Sequence, residues 1–194
     1  MYTVIGARNT RAFRVIWTLE ELGQPYDLID AAAGSDLAKS HNPSGKVPAL
    51  NVDGTVITDS CAIMTYLVDK HGGLTYAAGT LERARQDAFL HQINDEIDAL
   101  LWTAARHSFV LPADKRVPDV KDSLKWEFAR NLDRITDQIS GPFLMGDTLT
   151  IADLLLVHCG GWAISAKFPM ENAAFKEYSK SIRSRAGFVR AMGQ

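Results

Sequence analysis

Apolar residues at positions 12, 13, 15, 16, 19 and 22 recur on one helical face and predict a helix over residues 11–22. Gly23 and Pro25 follow in the order that stops a helix, glycine at its end and proline just beyond. Short apolar runs at 2–6 and 26–31 flank it and read as strands. A helix between two such strands suggests a parallel β-α-β unit. Residues 34–41 read as a loop with a short helix. Runs at 49–52 and 56–58 flank Asp53-Gly54, a strong hairpin turn signal. A third helix is predicted over 60–70, stopped near Gly72-Gly73. The predicted order is β-α-β-α-β-β-α.

Beyond residue 75 the strand signal almost disappears. Helical patterns run over 81–107, 120–139, 150–164 and 171–185, with a last turn over 188–192. Pro112 and Pro118 punctuate the first connection, and Gly141-Pro142 the second. The pattern therefore predicts a small α/β domain at 1–74 and a helical domain at 80–194, joined by a short linker at 73–79. Thr150 and Asp153 have the spacing of a capping box, with Leu149 and Leu154 as the accompanying hydrophobic staple. That is a stability device.

Composition narrows the partners. The 194 residues are 46% hydrophobic and 23% charged, with a net charge of −2. That is ordinary for a globular protein and gives no reason to expect nucleic acid or an anionic membrane. No apolar run approaches the length of a membrane span, and residues 1–6 do not read as a signal peptide. Cys61 and Cys159 are far apart, each inside an apolar helical pattern. They read as buried structural thiols, and the cytoplasm is the default compartment. The five histidines form no metal-ligand spacing, so no metal site is expected.

The candidate chemistry begins with Asn42-Pro43-Ser44-Gly45-Lys46-Val47-Pro48-Ala49-Leu50, followed by Asp59-Ser60 at the start of a helix. Two readings fit Val47-Pro48. A cis bond would turn the N–H and C=O of Val47 outward, where a ligand's peptide bond could pair with them as an added strand. A trans proline would merely start an edge strand. Two readings also fit Asp59-Ser60. The helix N-terminus, with the Ser60 hydroxyl and N–H, could take a carboxylate while Asp59 pairs with an ammonium group. Alternatively, the pair is a simple N-cap.

G-K-V-P-A-L followed by D-S before a helix, in this order of elements, resembles the cytosolic glutathione S-transferases. Two more segments carry the likeness: the run from Arg11 to Gly23, similar to the first helix of many bacterial and fungal members, and Gly146-Asp147-Thr148-Leu149-Thr150-Ile151-Ala152-Asp153, similar to the family's buried capping motif. The resemblance covers essentially the whole chain. It implies an α/β thioredoxin-like N-terminal domain that binds glutathione and an all-α helical bundle that contributes an electrophile site. It also implies a cytoplasmic homodimer that conjugates glutathione to a small hydrophobic electrophile. The alternatives are a glutathione-dependent disulfide reductase or peroxidase of the same fold, or a non-catalytic ligand-binding homologue.

The resemblance gives each feature a partner. Val47 pairs through its backbone with the cysteinyl residue of glutathione, and Pro48 is the cis proline that exposes it. Ser60 holds the γ-glutamyl carboxylate and Asp59 helps with the α-amino group; members more often carry Glu or Gln at this position. Lys46, with Lys39 as a second candidate, reaches toward the glycine carboxylate. In the helical bundle Trp102, Arg106 and Phe109, with Trp162 as a further candidate, line the electrophile site. Asp95 or Asp98 is offered to the γ-glutamyl ammonium.

Catalysis needs the glutathione thiolate. Lowering a thiol pKa by about two units requires roughly 2.7 kcal/mol of differential stabilisation. The donors lie in Ala7-Arg8-Asn9-Thr10-Arg11. Ile5 ends the first strand, which excludes a tyrosine-type site, and no cysteine lies nearby. Thr10 is the first expectation, Asn9 the second and a backbone N–H of the loop the third, with Arg11 and the helix dipole adding to the field.

Overall fold

The computed structural model describes residues 1–193; Gln194, the end of the expected helical domain, lies outside the described residues. The chain forms two compact units. Among the described residues, one holds 1–78 together with 183–193, and the other holds 79–182.

In the first unit the order is β1 (Tyr2–Ile5), α1 (Ala12–Leu22), β2 (Tyr26–Ile29), α2 (Asp36–His41), β3 (Ala49–Val52), β4 (Thr55–Thr58) and α3 (Ser60–His71). The four strands form one sheet in the order β2-β1-β3-β4. β1 and β2 are parallel, as the β-α-β pattern predicts, and the other two pairings are antiparallel. Asp53 (φ 50°) and Gly54 (φ 94°) supply the two left-handed positions of the predicted hairpin turn. The predicted face of α1 is buried along most of its length: Ala12, Val15, Ile16 and Leu19 have no exposed surface. Gly23 ends α1 in the left-handed conformation (φ 64°).

Residues 183–193, read from sequence as part of the end of the helical domain, fold back onto α1 instead. Here α9 (Ala186–Ala191) sets Phe188 edge-on against Trp17 and Phe13, at centroid distances of 4.9 and 5.4 Å. A short amphipathic turn carries no sequence signal for the element it will cover.

The second unit contains α4 (Leu81–Ile93), α5 (Ala99–Ala105), α6 (Val120–Thr136), α7 (Ile151–Ser165) and α8 (Ala173–Arg183), the last residue of which counts with the first unit. The single long helix predicted over 81–107 is helical throughout but contains π turns at Asn94–Asp98 and Arg106–Val110. Periodicity alone does not register such one-residue insertions. The helix predicted over 120–139 ends at Thr136.

α7 is buried nearly all round, as its continuous apolar run requires. Gly160 admits the ring of Phe175, which a Cβ there would meet at 2.6 Å. At the start of α7, Asp153 accepts from Thr150 N (2.7 Å) and Thr150 Oγ1 (2.9 Å), as the capping pattern predicts. It also accepts from Leu144 N and Tyr178 Oη, both at 2.7 Å, which sequence spacing did not reveal. Cys61 and Cys159 are both buried and neither is in a disulfide.

Candidate active site

Three segments with candidate chemistry meet at one end of the sheet because of its register. Ile5 pairs with Ala49, and Ala49 pairs with Thr58. The chain leaves β1 immediately after Ile5, enters β3 immediately before Ala49 and leaves β4 immediately after Thr58. The loop at 7–11, Val47-Pro48 and Asp59-Ser60 therefore share this end. Gly6 fits the first of these exits closely. Its φ is 138°, and a Cβ there would lie 2.7 Å from Ala12 Cβ and 3.0 Å from Val47 Cβ.

The Val47–Pro48 bond is cis. The side chain of Val47 packs against the cluster of Ile5, Ala31, Ala38 and Ala49. Its backbone N–H and C=O make no hydrogen bond among the described residues. Asn42 braces the preceding residue by donating from Nδ2 to Lys46 O at 2.9 Å. Lys46 is exposed, and Lys39 pairs with Asp36 at 3.8 Å.

Asp59 sits at φ 71° and ψ 123°, a sparsely populated region for a non-glycine residue. Its Oδ1 accepts from Cys61 N (2.9 Å) and Ala62 N (3.0 Å), so it caps α3. Of the two readings of Asp59-Ser60, the cap is the one these bonds form, and it is made by the Asp59 side chain. Ser60 is buried, and its Oγ accepts from Nη1 of the buried Arg14 at 3.2 Å. Sequence reasoning missed Arg14. The apolar period gave no signal for it, because Arg14 falls opposite the predicted apolar face of α1.

The loop before α1 holds the expected side-chain donors in different settings. Thr10 Oγ1 donates to Ala7 O at 2.7 Å and accepts from Ala12 N at 3.1 Å. Its proton is directed into the loop, whereas the sequence reading had it donate outward. The cause is local: the loop turns back at Ala7 and brings that carbonyl under the hydroxyl. Asn9 is exposed, and its carboxamide makes no hydrogen bond among the described residues. Arg11 is half-buried beside it.

In the second unit, Trp102 lies on α5 and Arg106 opens the following π turn, one helical turn further on. Arg106 Nη2 donates to Thr103 Oγ1 at 3.2 Å, while its buried Nε has no partner. Phe109 is 69% exposed. Trp162 lies half-buried on α7. Asp95 is exposed, but Asp98 is buried and accepts from Cys159 Sγ at 3.8 Å. Both residues of this contact belong to the second unit. Among the described residues no cluster of three or more His, Cys, Asp or Glu side chains is placed to hold a metal, and no helix is long and apolar enough to cross a membrane.

Comparison with known proteins matches residues 10–70 to the family model described as glutathione S-transferase, N-terminal domain. Glutathione S-transferase alpha I of Oryctolagus cuniculus is 24% identical over 73% of this chain and 63% of its own length. Maleylacetoacetate isomerase of Dictyostelium discoideum is 30% identical over 63% of this chain and 57% of its own. The chain thus spans about six-tenths of the length of these curated relatives. The crystal structure of a glutathione transferase from Methylococcus capsulatus str. Bath is similar at a TM-score of 0.87 and 27% identity, over 100% of this chain and 98% of that one. A glutathione transferase homolog from Sulfitobacter, solved with bound glutathione, has the same fold at a TM-score of 0.87 and 18% identity, over 100% of this chain and 97% of that one.

Proposed function

This chain belongs to the glutathione S-transferase family, and on that premise we propose that it binds glutathione at the Ile5–Ala49–Thr58 end of its sheet and conjugates it to a small hydrophobic electrophile. The observation that carries this reading is the unpaired backbone of Val47 at the same sheet end as Ser60. A peptide can bond to the first while its carboxylate meets the second.

In this reading the cysteinyl amide of glutathione pairs with Val47 as an added strand. Ser60 accepts from Arg14 at 3.2 Å, so its own proton is left to donate to the γ-glutamyl carboxylate. The backbone N–H of Ser60 and the positive end of the α3 dipole serve the same charge, since the next two N–H groups are taken by Asp59. Asp59 and Lys46 serve the ammonium and the glycine carboxylate. Asn9 donates to the sulfur, with Arg11 and the N-terminal end of α1 adding positive field. The thiol proton leaves to solvent, the sulfur lone pair forms the new C–S bond, and the leaving group departs with its electron pair. Trp102, Arg106 and Phe109 line the electrophile site. The protein's contribution is orientation and electrostatic stabilisation. The family resemblance also carries the expected cytoplasmic homodimer.

Titration calorimetry with glutathione, followed by a conjugation assay with a chloronitroarene, tests this function. Saturable binding with turnover supports it, and absence of binding refutes it. One observation favours a second reading. Thr10 directs its proton inward, and no thiol lies in the loop 7–11. A non-catalytic ligand-binding homologue would bind glutathione without turnover, and a disulfide reductase or peroxidase would turn over a dithiol-disulfide or peroxide probe instead.

A further inference from the structure

The C-terminal segment lies along α1 as an antiparallel splint. Arg185, just before α9, clamps Glu21 with both ends of its guanidinium, Nε to Oε1 at 3.1 Å and Nη2 to Oε2 at 2.9 Å. The Glu21 side chain is only 6% exposed and also accepts from Trp17 Nε1 at 3.1 Å. Gly187 passes so close that a Cβ there would lie 2.5 Å from Glu21 Cδ. Phe188 then covers Trp17 and Phe13, the next turns of α1 toward its start. At the far end, Arg8 Nε donates to Ala191 O at 3.1 Å. Arg190 secures the clasp from the side, to Glu20 Oε2 at 2.9 Å and Glu20 O at 2.7 Å.

Arg8 directly precedes Asn9. The Asn9 backbone is therefore held on both sides, by Arg8 on α9 and by Thr10 on Ala7 and Ala12. We infer that Arg8 and Arg185 are positioning residues: the splint from Glu21 to Ala191 fixes the loop 7–11 so that Asn9 is pre-aimed at the glutathione sulfur. The inference rests on the proposal that this loop activates the thiol. Its physical basis is that a donor contributes to catalysis only when its orientation is fixed before the charge develops. An exposed carboxamide on an unbraced loop would lose that contribution to motion.

The variants are Arg8→Ala, Arg8→Lys and Arg185→Ala, the last leaving every charge of the loop unchanged. Bound-glutathione thiolate absorbance is followed against pH, together with the glutathione Kd. The inference predicts that Arg8→Ala and Arg185→Ala raise the bound thiol pKa by about half a unit or more, with Kd within about threefold because Val47 and Ser60 are untouched. Arg8→Lys restores part of the shift. An unchanged thiol pKa in folded Arg8→Ala and Arg185→Ala overturns it. Hydrogen exchange without glutathione gives a second reading. The Thr10 and Ala12 amides are predicted to exchange faster in both alanine variants while Leu50 in β3 does not. Unchanged exchange in Arg8→Ala overturns the splint even if Arg185→Ala fails to fold. Failure of the wild type to bind glutathione sinks the proposed function but leaves the exchange result standing on its own.

Discussion

Nη1 of Arg14 donates to Oγ of Ser60 across 3.2 Å, with both side chains buried. The bond joins α1 to the start of α3 and sets which way the serine can donate. A hydroxyl that already accepts from a guanidinium turns its own proton to the next acceptor, and a positive charge stands directly behind it.

Ser60→Ala removes that donor and leaves a buried N–H of Arg14 without this partner. Glutathione Kd is predicted to rise about tenfold or more, as expected for a hydrogen bond to a charged group. Stability is predicted to fall by about 1–3 kcal/mol. Calorimetry and urea unfolding measure the two effects separately. An unchanged Kd would place the carboxylate elsewhere.

In the proposed function, Asn9 and Thr10 divide two tasks that sequence alone assigned together. Asn9→Ala is predicted to lower kcat by about tenfold or more without shifting the unfolding midpoint, because the side chain is exposed and unbonded. Thr10→Val is predicted to cost about 0.5–2 kcal/mol of stability through the lost hydrogen bonds to Ala7 O and from Ala12 N. Comparing kcat and Tm for the two variants checks the division. The opposite pattern would return Thr10 to the catalytic role.

Asp153 ties Leu144, Thr150 and Tyr178 together in the helical unit. Burial holds its carboxyl above the usual range, against the pull of four donors. Asp153→Ala strands the N–H groups of Leu144 and Thr150 and the hydroxyl of Tyr178. A loss of about 3–5 kcal/mol is predicted, enough to remove most of the stability of an ordinary domain. Urea unfolding measures it, and a loss below about 1 kcal/mol would contradict this account.

Tyr178 makes the fold sensitive to alkali. Burial, followed by the charge of Asp153, pushes its phenol well above the ordinary value of 10.0. The neutral phenol is favoured in the folded state, so its contribution is fully present below pH 10.0 and is lost as pH rises beyond it, when the unfolded phenol ionises and the folded one does not. The slope reaches about 1.4 kcal/mol per pH unit for one proton. Tyr178→Phe is predicted to fall less steeply between pH 10 and 11 while starting from lower stability at neutral pH. Parallel slopes for the two proteins would assign the alkaline loss to other groups.

The sheet and the site differed in how far they could be read from sequence. The period of α1, the Asp53-Gly54 turn and the Thr150–Asp153 cap are local patterns, and each has its counterpart in the structure. The features that were missed depend on distant partners. Arg14 lies 46 positions from Ser60, and Arg185 lies 164 from Glu21. The direction of the Thr10 proton depends on where the Ala7 carbonyl falls, which no residue type specifies. The π turns need only one extra residue per turn, too little to disturb an apolar period. Asp95 and Asp98 show the same limit, because a carboxylate on a helix does not reveal from its position whether it faces solvent or α7.

The most direct test of the account is a crystal structure of the chain with glutathione. It predicts the γ-glutamyl carboxylate on Ser60, the cysteinyl amide paired with the backbone of Val47, and Asn9 as the side-chain donor nearest the sulfur. Glutathione bound away from Val47 and Ser60, or a sulfur facing Thr10 or no donor of the loop 7–11, would contradict it.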